Sequence, residues 1–233
     1  VVAVMQGLSS TITKQLDDLA SDMVIVSAET TPEQAMIGLR NRLLFEDFIA
    51  VRERVKGIQD ITAMMQPLNF GGRVAQGRHS TTAQILGTNA NYQQVVRVYT
   101  DQGRFLSESD DLRRRRVAVL GATLIKKLEL PANPVGSFIQ LGGEWFRVIG
   151  VAESRGTLFG FDQDNFVIAP FSTLKALSGA TQDEDVQIYF RPQVGADLDS
   201  IETQVRHVLR SRRALALALR SGRAERAAAA KAS

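Results

Sequence analysis

The chain contains no cysteine. That excludes a disulfide framework and every thiolate metal site, while fitting the cytosol and the bacterial periplasm alike. Histidine is almost as scarce, limited to His79 and His207, and there is no HExxH, no Ser-His-Asp spacing and no GxxxxGKS/T phosphate loop. The usual histidine routes to catalysis are therefore missing, and a hydrolase is disfavoured. Long hydrophobic runs are absent too. The most apolar stretch at the start, VVAVM, is five residues, far short of the ~18–20 that span a bilayer. An excess of charge of one sign is also lacking over most of the chain. From Arg206 onward eight basic residues face only Glu225, a local +7, whereas residues 1–205 carry 20 basic against 24 acidic residues, a net −4. The dense run Arg113 to Arg116 follows Asp110-Asp111 and reads as a solvated loop whose charges partly cancel, so no nucleic-acid footprint is present.

What the 233 residues do contain is an ordinary folded composition, 44% hydrophobic and 23% charged, enough for one large or two small domains. The most informative stretch runs from Val117 to Pro170. Val117 to Leu120 reads as a short buried strand, Ala122 to Leu128 as a helix started by glycine, and Gly142-Gly143 as the turn of a hairpin. A loop from Glu153 to Asp164 follows, and a last strand, Phe166 to Ala169, ends at Pro170. The glycines at 71-72 and 142-143 precede strands rather than helix N-termini, so they are turns and not phosphate cradles. Asp162, Asp164 and Asn165 lack the glycine and terminal glutamate of a calcium loop and read as solvated loop acids.

Upstream, residues 1–20 turn amphipathic, with Leu8, Ile12, Leu16 and Leu19 at helical spacing. Two readings stay open: an ordinary N-terminal helix, or the last turn of a membrane helix continued outward as a stalk. Asp22 to Ala28 reads as a strand, Glu29 to Asn41 as a mobile loop, and Leu44 to Val55 as a helix broken at Gly57. An interrupted strand from Ile61 to Gln76 turns at Gly77-Arg78 and returns through Ser80 to Leu86, completing a βαββ unit. Tyr92 and Val95-Val96 anchor a turn before Gly103-Arg104, where the arginine reads as a salt-bridge or carbonyl-binding residue. Late in the chain come a short helix from Ser172 to Ser178 capped by Ser172 or Thr173, a strand Val186 to Arg191, and a closing helix from Asp197 marked by Leu198, Ile201, Val205 and Leu209. Residues 214–233 are an Ala/Arg-rich, low-complexity tail, read as an altered or added terminus.

The order VAVLG, NPVG, an I.LGG..FRVIGV hairpin, LFG and D..VIAP resembles the extracytoplasmic domain of ABC-transporter permeases of the MacB type. Tyr92, Val95, Gly103 and Arg104 match the stretch that joins two subdomains in that family. The resemblance covers roughly residues 1–213. It implies an α+β fold, a split βαβ-type sandwich subdomain (22–91 and 184–213) interrupted by an inserted β-rich subdomain (92–183), with an N-terminal stalk helix over 1–21. It also implies a non-catalytic role in export, with no cofactor in this domain and ATP used by a fused or separate ATPase. The partners implied are that ATPase, a second permease copy, the inner membrane through flanking helices, and a periplasmic adaptor. A stand-alone extracytoplasmic ligand-binding or adhesion module is the competing reading. Within either, the loop residues Leu158, Phe159 and Phe161 are the candidate partner contact, because two phenylalanines and a leucine between glycines are too apolar to stay wet without a reason.

Overall fold

The computed structural model describes residues 9–14, 23–30, 32–36, 41–67, 71–158, 161–179 and 185–212. In chain order the elements are β1 (Ser9–Lys14), β2 (Val24–Glu29), α1 (Pro32–Met36), α2 (Phe45–Arg54), β3 (Ile58–Met65), β4 (Arg73–Gln76), β5 (His79–Thr82) and β6 (Gln84–Thr88). There follow α3 (Tyr92–Val96), β7 (Thr100–Gly103), α4 (Glu108–Leu112), β8 (Val117–Leu120), α5 (Ala122–Lys127), β9 (Phe138–Leu141) and β10 (Glu144–Ala152). The last are β11 (Thr157–Leu158), β12 (Phe161–Asp162), β13 (Phe166–Pro170), α6 (Phe171–Ser178) and β14 (Val186–Pro192), with a closing helix, α7, over 198–212.

Twelve of the strands form one mixed sheet in the order β1-β2-β14-β3-β6-β13-β8-β10-β9-β4-β5, with β7 also paired to β10. The β8–β10 and β6–β13 pairs are parallel and the rest antiparallel. The central strands are apolar on both sides, as a sheet covered on both faces requires. Along β8, Ala118 and Leu120 enter one core while Val117 and Val119 enter the other. The same period-two division sends Val167 and Ala169 of β13 one way and Ile168 the other. The larger core is roofed by α2, α5, α6 and α7, through Phe48, Leu124, Phe171, Leu174, Ile201 and Val205. The smaller collects Tyr92, Val98, Phe105 and Leu106 on the opposite face.

Residues 186–191 pair with β3 and, on their other side, with β2. Val186, Ile188 and Phe190 are thereby fully buried, each stabilising the fold by about 1.5–3 kcal/mol relative to exposure. The closing helix forms where the spacing predicts and buries Ile201, Val205 and Leu209, whereas Leu198 at its start is exposed. It is tied to the N-terminus of α2, where the Asp47 carboxylate accepts from Leu44 N at 3.0 Å and from Arg212 Nε at 2.7 Å.

Several expectations are corrected. The predicted helix over 1–21 is a strand over 9–14, paired residue for residue with β2; the remainder of that stretch lies outside the described residues. The Leu8–Ile12 spacing fits a helix, but Thr11-Ile12-Thr13 is β-branched and the edge of β2 away from β14 is an open template. Within the predicted mobile loop 29–41 lies α1. The boundary drawn at 91/92 does not coincide with a break in the sheet. The β4–β5 hairpin, from the first segment, adds to β9, while β13, from the inserted segment, pairs with β6 on one side and β8 on the other. Long-range strand pairing of this kind leaves no local signal in the sequence. Neither Ser172 nor Thr173 caps α6, whose N-cap position is Pro170, with no side-chain cap of its own. Asp111, 61 residues earlier, accepts from Ser172 N at 2.8 Å instead, while Thr173 Oγ1 donates to Arg115 O. The low-complexity tail lies outside the described residues.

Candidate functional site

The segment 153–164 is not an unsupported loop. Leu158 is in register with Phe161 in a two-stranded ladder, β11 with β12, and Phe159 lies outside the described residues. What holds this small hairpin is a single carboxylate. Asp164 is 3% exposed, and its oxygens accept from Ser154 Oγ, from Arg155 N at 2.8 Å and from Gly156 N at 2.9 Å. Asp162 serves the same end from the other side. Its Oδ1 accepts from Thr123 Oγ1 at 3.0 Å and from Asp164 N at 2.9 Å. Thr123 N in turn donates to Asp164 O, and Gln163 N to Gly156 O.

The hairpin base is also clamped sideways. The Arg155 guanidinium donates through Nη2 to the carbonyls of Val96 at 2.9 Å and Arg97 at 2.7 Å, satisfying the C-terminal carbonyls of α3, which no later turn of helix reaches. The expectation that Asp162 and Asp164 are both solvated loop acids is therefore corrected for Asp164. Its oxygens are committed to donors from its own loop, which is how a buried carboxylate remains charged. Among the described residues no group of three or more His, Asp or Glu is placed to hold a metal ion. Burial pushes the Asp164 carboxyl up, but the hydrogen bonds from Ser154, Arg155 N and Gly156 N outweigh it and hold it below the usual carboxylate range.

Because the folded pKa is depressed, Asp164 contributes stability above the unfolded carboxylate range, and that contribution is lost as pH falls through the folded value. Asp164→Asn is therefore expected to lower stability by about 2 kcal/mol at pH 7, leaving some of these donors without a charged acceptor, and by less below pH 4. Urea unfolding at pH 7 and pH 3 checks this; an equal loss at both would remove the charge from the explanation.

The other residues singled out fall elsewhere. Arg104 makes both bonds expected of it, to Phe105 O at 3.0 Å and as a fork to Asp110 at 2.6 and 3.1 Å. Arg113 to Arg116 are exposed, with Arg115 completing the Asp110 cluster and Arg116 paired to Glu144 at 2.7 Å. His79 lies 3.5 Å from Glu129 on the terminal strand β5, and His207 on α7. Gly142 and Gly143 take φ of 58° and 90°, the primed turn the hairpin needs. Ser154 and Arg155 were not legible as parts of the site. Their partners lie 9 to 59 residues away in the chain, and no spacing rule connects them.

This arrangement fixes the base of a short hairpin. The hydroxyl beside the Asp164 carboxylate, Ser154 Oγ, directs its proton to it. Among the described residues no helix is long and apolar enough to cross a membrane.

Comparison with known proteins places this architecture. The family model of the MacB-like periplasmic core domain matches residues 1–208. The macrolide export ATP-binding/permease protein MacB of Bdellovibrio bacteriovorus is 27% identical over 217 residues, covering 91% of this chain and 32% of that protein. The pyoverdine export ATP-binding/permease protein PvdT of Pseudomonas aeruginosa is 26% identical over 174 residues, covering 74% of this chain and 25% of that protein. The chain thus spans a quarter to a third of the length of these relatives. Its fold is similar to the periplasmic region of MacB from Actinobacillus actinomycetemcomitans, with a TM-score of 0.67 at 21% identity, covering 82% of this chain and 84% of that one. It is also similar to the extracellular domain of the noncanonic ABC-type transporter YknZ from Gram-positive bacteria, with a TM-score of 0.64 at 16% identity, covering 83% and 95%. With a family match over nearly nine-tenths of its length, the chain belongs to the MacB-like periplasmic core domains.

Proposed function

We propose that this chain is the extracytoplasmic part of an ABC-transporter permease, and that it carries ATPase-driven motion to an extracytoplasmic partner or substrate during export without catalysing a reaction itself. The observation that carries this reading is the family match over residues 1–208, together with relatives that are macrolide and pyoverdine export ATP-binding/permease proteins. The fold supports it mechanically. One hydrogen-bonded sheet runs from β1 to β5, and α7 is bonded to α2 through Arg212–Asp47 and to the strand-leading loop through Gln204 Oε1, which accepts from Lys56 N at 3.0 Å. Displacement applied at the β1 and α7 end is thus delivered to the rest as rigid-body motion, since close-packed interiors transmit strain.

In the parent protein, membrane segments flank this domain, an ATPase domain or subunit supplies ATP hydrolysis, and a second permease copy and a periplasmic adaptor complete the machine. The working contact is the hairpin 157–162. The exposed residues Glu153 to Thr157 and Asp162-Gln163 support this reading, since binding loops run over the surface and are held by a rigid scaffold.

Phe159→Ala in the full-length transporter is expected to weaken export, while the same change leaves the melting temperature of the domain within about 1–2 °C of the parent. A core phenylalanine would instead cost roughly 3–5 kcal/mol. A large drop in melting temperature sinks the contact role. A complete reading frame without a hydrophobic run of about 20 residues beside the domain overturns the transporter reading and leaves a stand-alone binding or adhesion module.

A further inference from the structure

The smaller core does not cover the whole of its side of the sheet. On β10, Phe146 and Val148 enter the larger core, so Trp145 and Arg147 project from the other face. This is the face on which Val117, paired with Arg147, joins the smaller core. Coverage by α3, Phe105 and Leu106 extends only as far as β8 and Ile149 of β10. Beyond that line, on β10, β9, β4 and β5, no described residue is seen to cover the sheet. Trp145, the one tryptophan of the chain, is 50% exposed and Phe138 is 53% exposed.

The register arranges these side chains. Trp145 is opposite Gln140 and Phe138 opposite Arg147, so the two aromatics are diagonal neighbours, about 7–8 Å apart at Cβ. Gln140 is opposite Ala75, which is opposite Ser80, and Arg73 is opposite Thr82. Small side chains therefore form a low floor beside the aromatic pair. The charge on this face is of one sign. Arg73 and Arg147 are exposed and have no ion-pair partner among the described residues, and β9, β4 and β5 contain no acidic residue. The nearest carboxylate along β10, Glu144, alternates onto the opposite face and is paired there with Arg116.

We propose that this face is a docking surface for an acidic segment of a partner protein, received over Trp145 and Phe138 and held by Arg147 and Arg73. Tryptophan and arginine are the side chains most often found carrying protein interfaces, and guanidiniums beside exposed rings, without a carboxylate partner among the described residues, match carboxylates of a partner. A protein fits better than a lipid surface because of where the face lies. Arg212 of α7 is bonded to Asp47 of α2, which packs on β3 and β14, while β1 is the edge strand beyond β2. Six strand spacings separate β14 from β9, up to about 30 Å along the sheet. A protein is favoured on the proposed transporter reading, in which membrane segments join at the β1 and α7 end.

The test places Phe138→p-benzoylphenylalanine in the full-length transporter in cells, with Val194→p-benzoylphenylalanine as the control at a fully exposed turn near α7. The expected result is a photo-crosslink from position 138 to a protein segment that sequencing of the adduct shows to be net acidic. Its yield should fall about tenfold when Arg73→Glu and Arg147→Glu are combined and recover when the acidic residues of the captured segment are reversed. If the double reversal lowers the melting temperature, Arg73→Gln with Arg147→Gln gives the same reading with a smaller loss. A crosslink to phospholipid, to a second copy of this chain or to a segment that is not acidic overturns the proposal, as does a yield no greater than at position 194. Export that depends on the transporter while position 138 captures no acidic segment removes this docking face and leaves the transporter reading standing. Capture with the stated charge dependence by a protein that exports nothing removes the transporter reading instead.

Discussion

Asp110→Ala is expected to lower the stability of the domain by about 3 kcal/mol at neutral pH. The carboxylate is fully buried and gathers donors from three directions. Arg104 binds both oxygens, Ser107 donates through N at 2.9 Å and Oγ at 2.7 Å, and Arg115 Nη1 approaches to 3.4 Å. Truncation strands the Ser107 amide at the start of α4, an end effect of about 1 kcal/mol, and removes charge-assisted bonds of about 1.5–3 kcal/mol. The loss stays below that of a fully buried ion pair because Arg104, 48% exposed at its side chain, rehydrates when released.

Burial raises the Asp110 carboxyl, but the bonds from Arg104 and Ser107 overcome this and hold it well below the usual carboxylate range. With the folded value depressed, the contribution is full above the unfolded pKa and disappears as pH falls below about 4. Urea unfolding of the wild type and variant should therefore give curves that converge in acid. A difference that persists undiminished at pH 2 would assign the loss to packing of Phe105 and Leu106 rather than to the charged cluster.

Gly121→Ala is expected to be at least as damaging, for a different reason. Gly121 has φ of −80°, an angle any residue adopts, so backbone strain plays no part. A Cβ there would lie 2.1 Å from the Asp164 carbonyl oxygen and 2.7 Å from its carbon. Both are backbone atoms that cannot rotate away. The Gly121 amide also donates to Phe166 O at 3.0 Å. To admit a methyl group, residues 164–166 must move off the start of α5, breaking the bonds from Thr123 and disturbing the base of the hairpin. Overpacking of this kind costs about 3 kcal/mol, which lowers the melting temperature of a chain of this size by about 6–12 °C. On the proposed function the same change abolishes export by displacing residues 157–162. Thr157→Ala, exposed on the hairpin, should leave the melting temperature unchanged. If Gly121→Ala is thermally neutral, β8 and the 153–164 segment are not as close as described.

The local elements were largely legible. Val117 to Leu120, the glycine-started helix after it, the Gly142-Gly143 hairpin and the strand ending at Pro170 each carry their signal within a few residues. So does the apolar period that places Ile201, Val205 and Leu209 on the buried side of α7. Where local signals conflicted, the tertiary partner won. Ile12 falls on a helical spacing with Leu8 and Leu16, yet Ser9 to Lys14 is rich in β-branched residues, and pairing with β2 resolves that segment as strand. Ser172 and Thr173 look like caps, yet Asp111 reaches the α6 N-terminus from another part of the chain.

The sequence by itself determined the element types between Val117 and Pro170, the absence of cysteine and of the common catalytic motifs, and the ordered motifs in that stretch that mark the family. Each of these depends on the conformational preference of a residue or on a pattern within one short stretch. Only the tertiary structure decided that β4 and β5 extend the sheet beyond β9, that Asp164 is the buried post of the hairpin, and that Trp145, Phe138, Arg147 and Arg73 share one open face. Those facts depend on which strands meet across tens of residues, a choice made by burial of apolar surface over the whole molecule, and alternation along a strand fixes a side chain's face only once its neighbours are known.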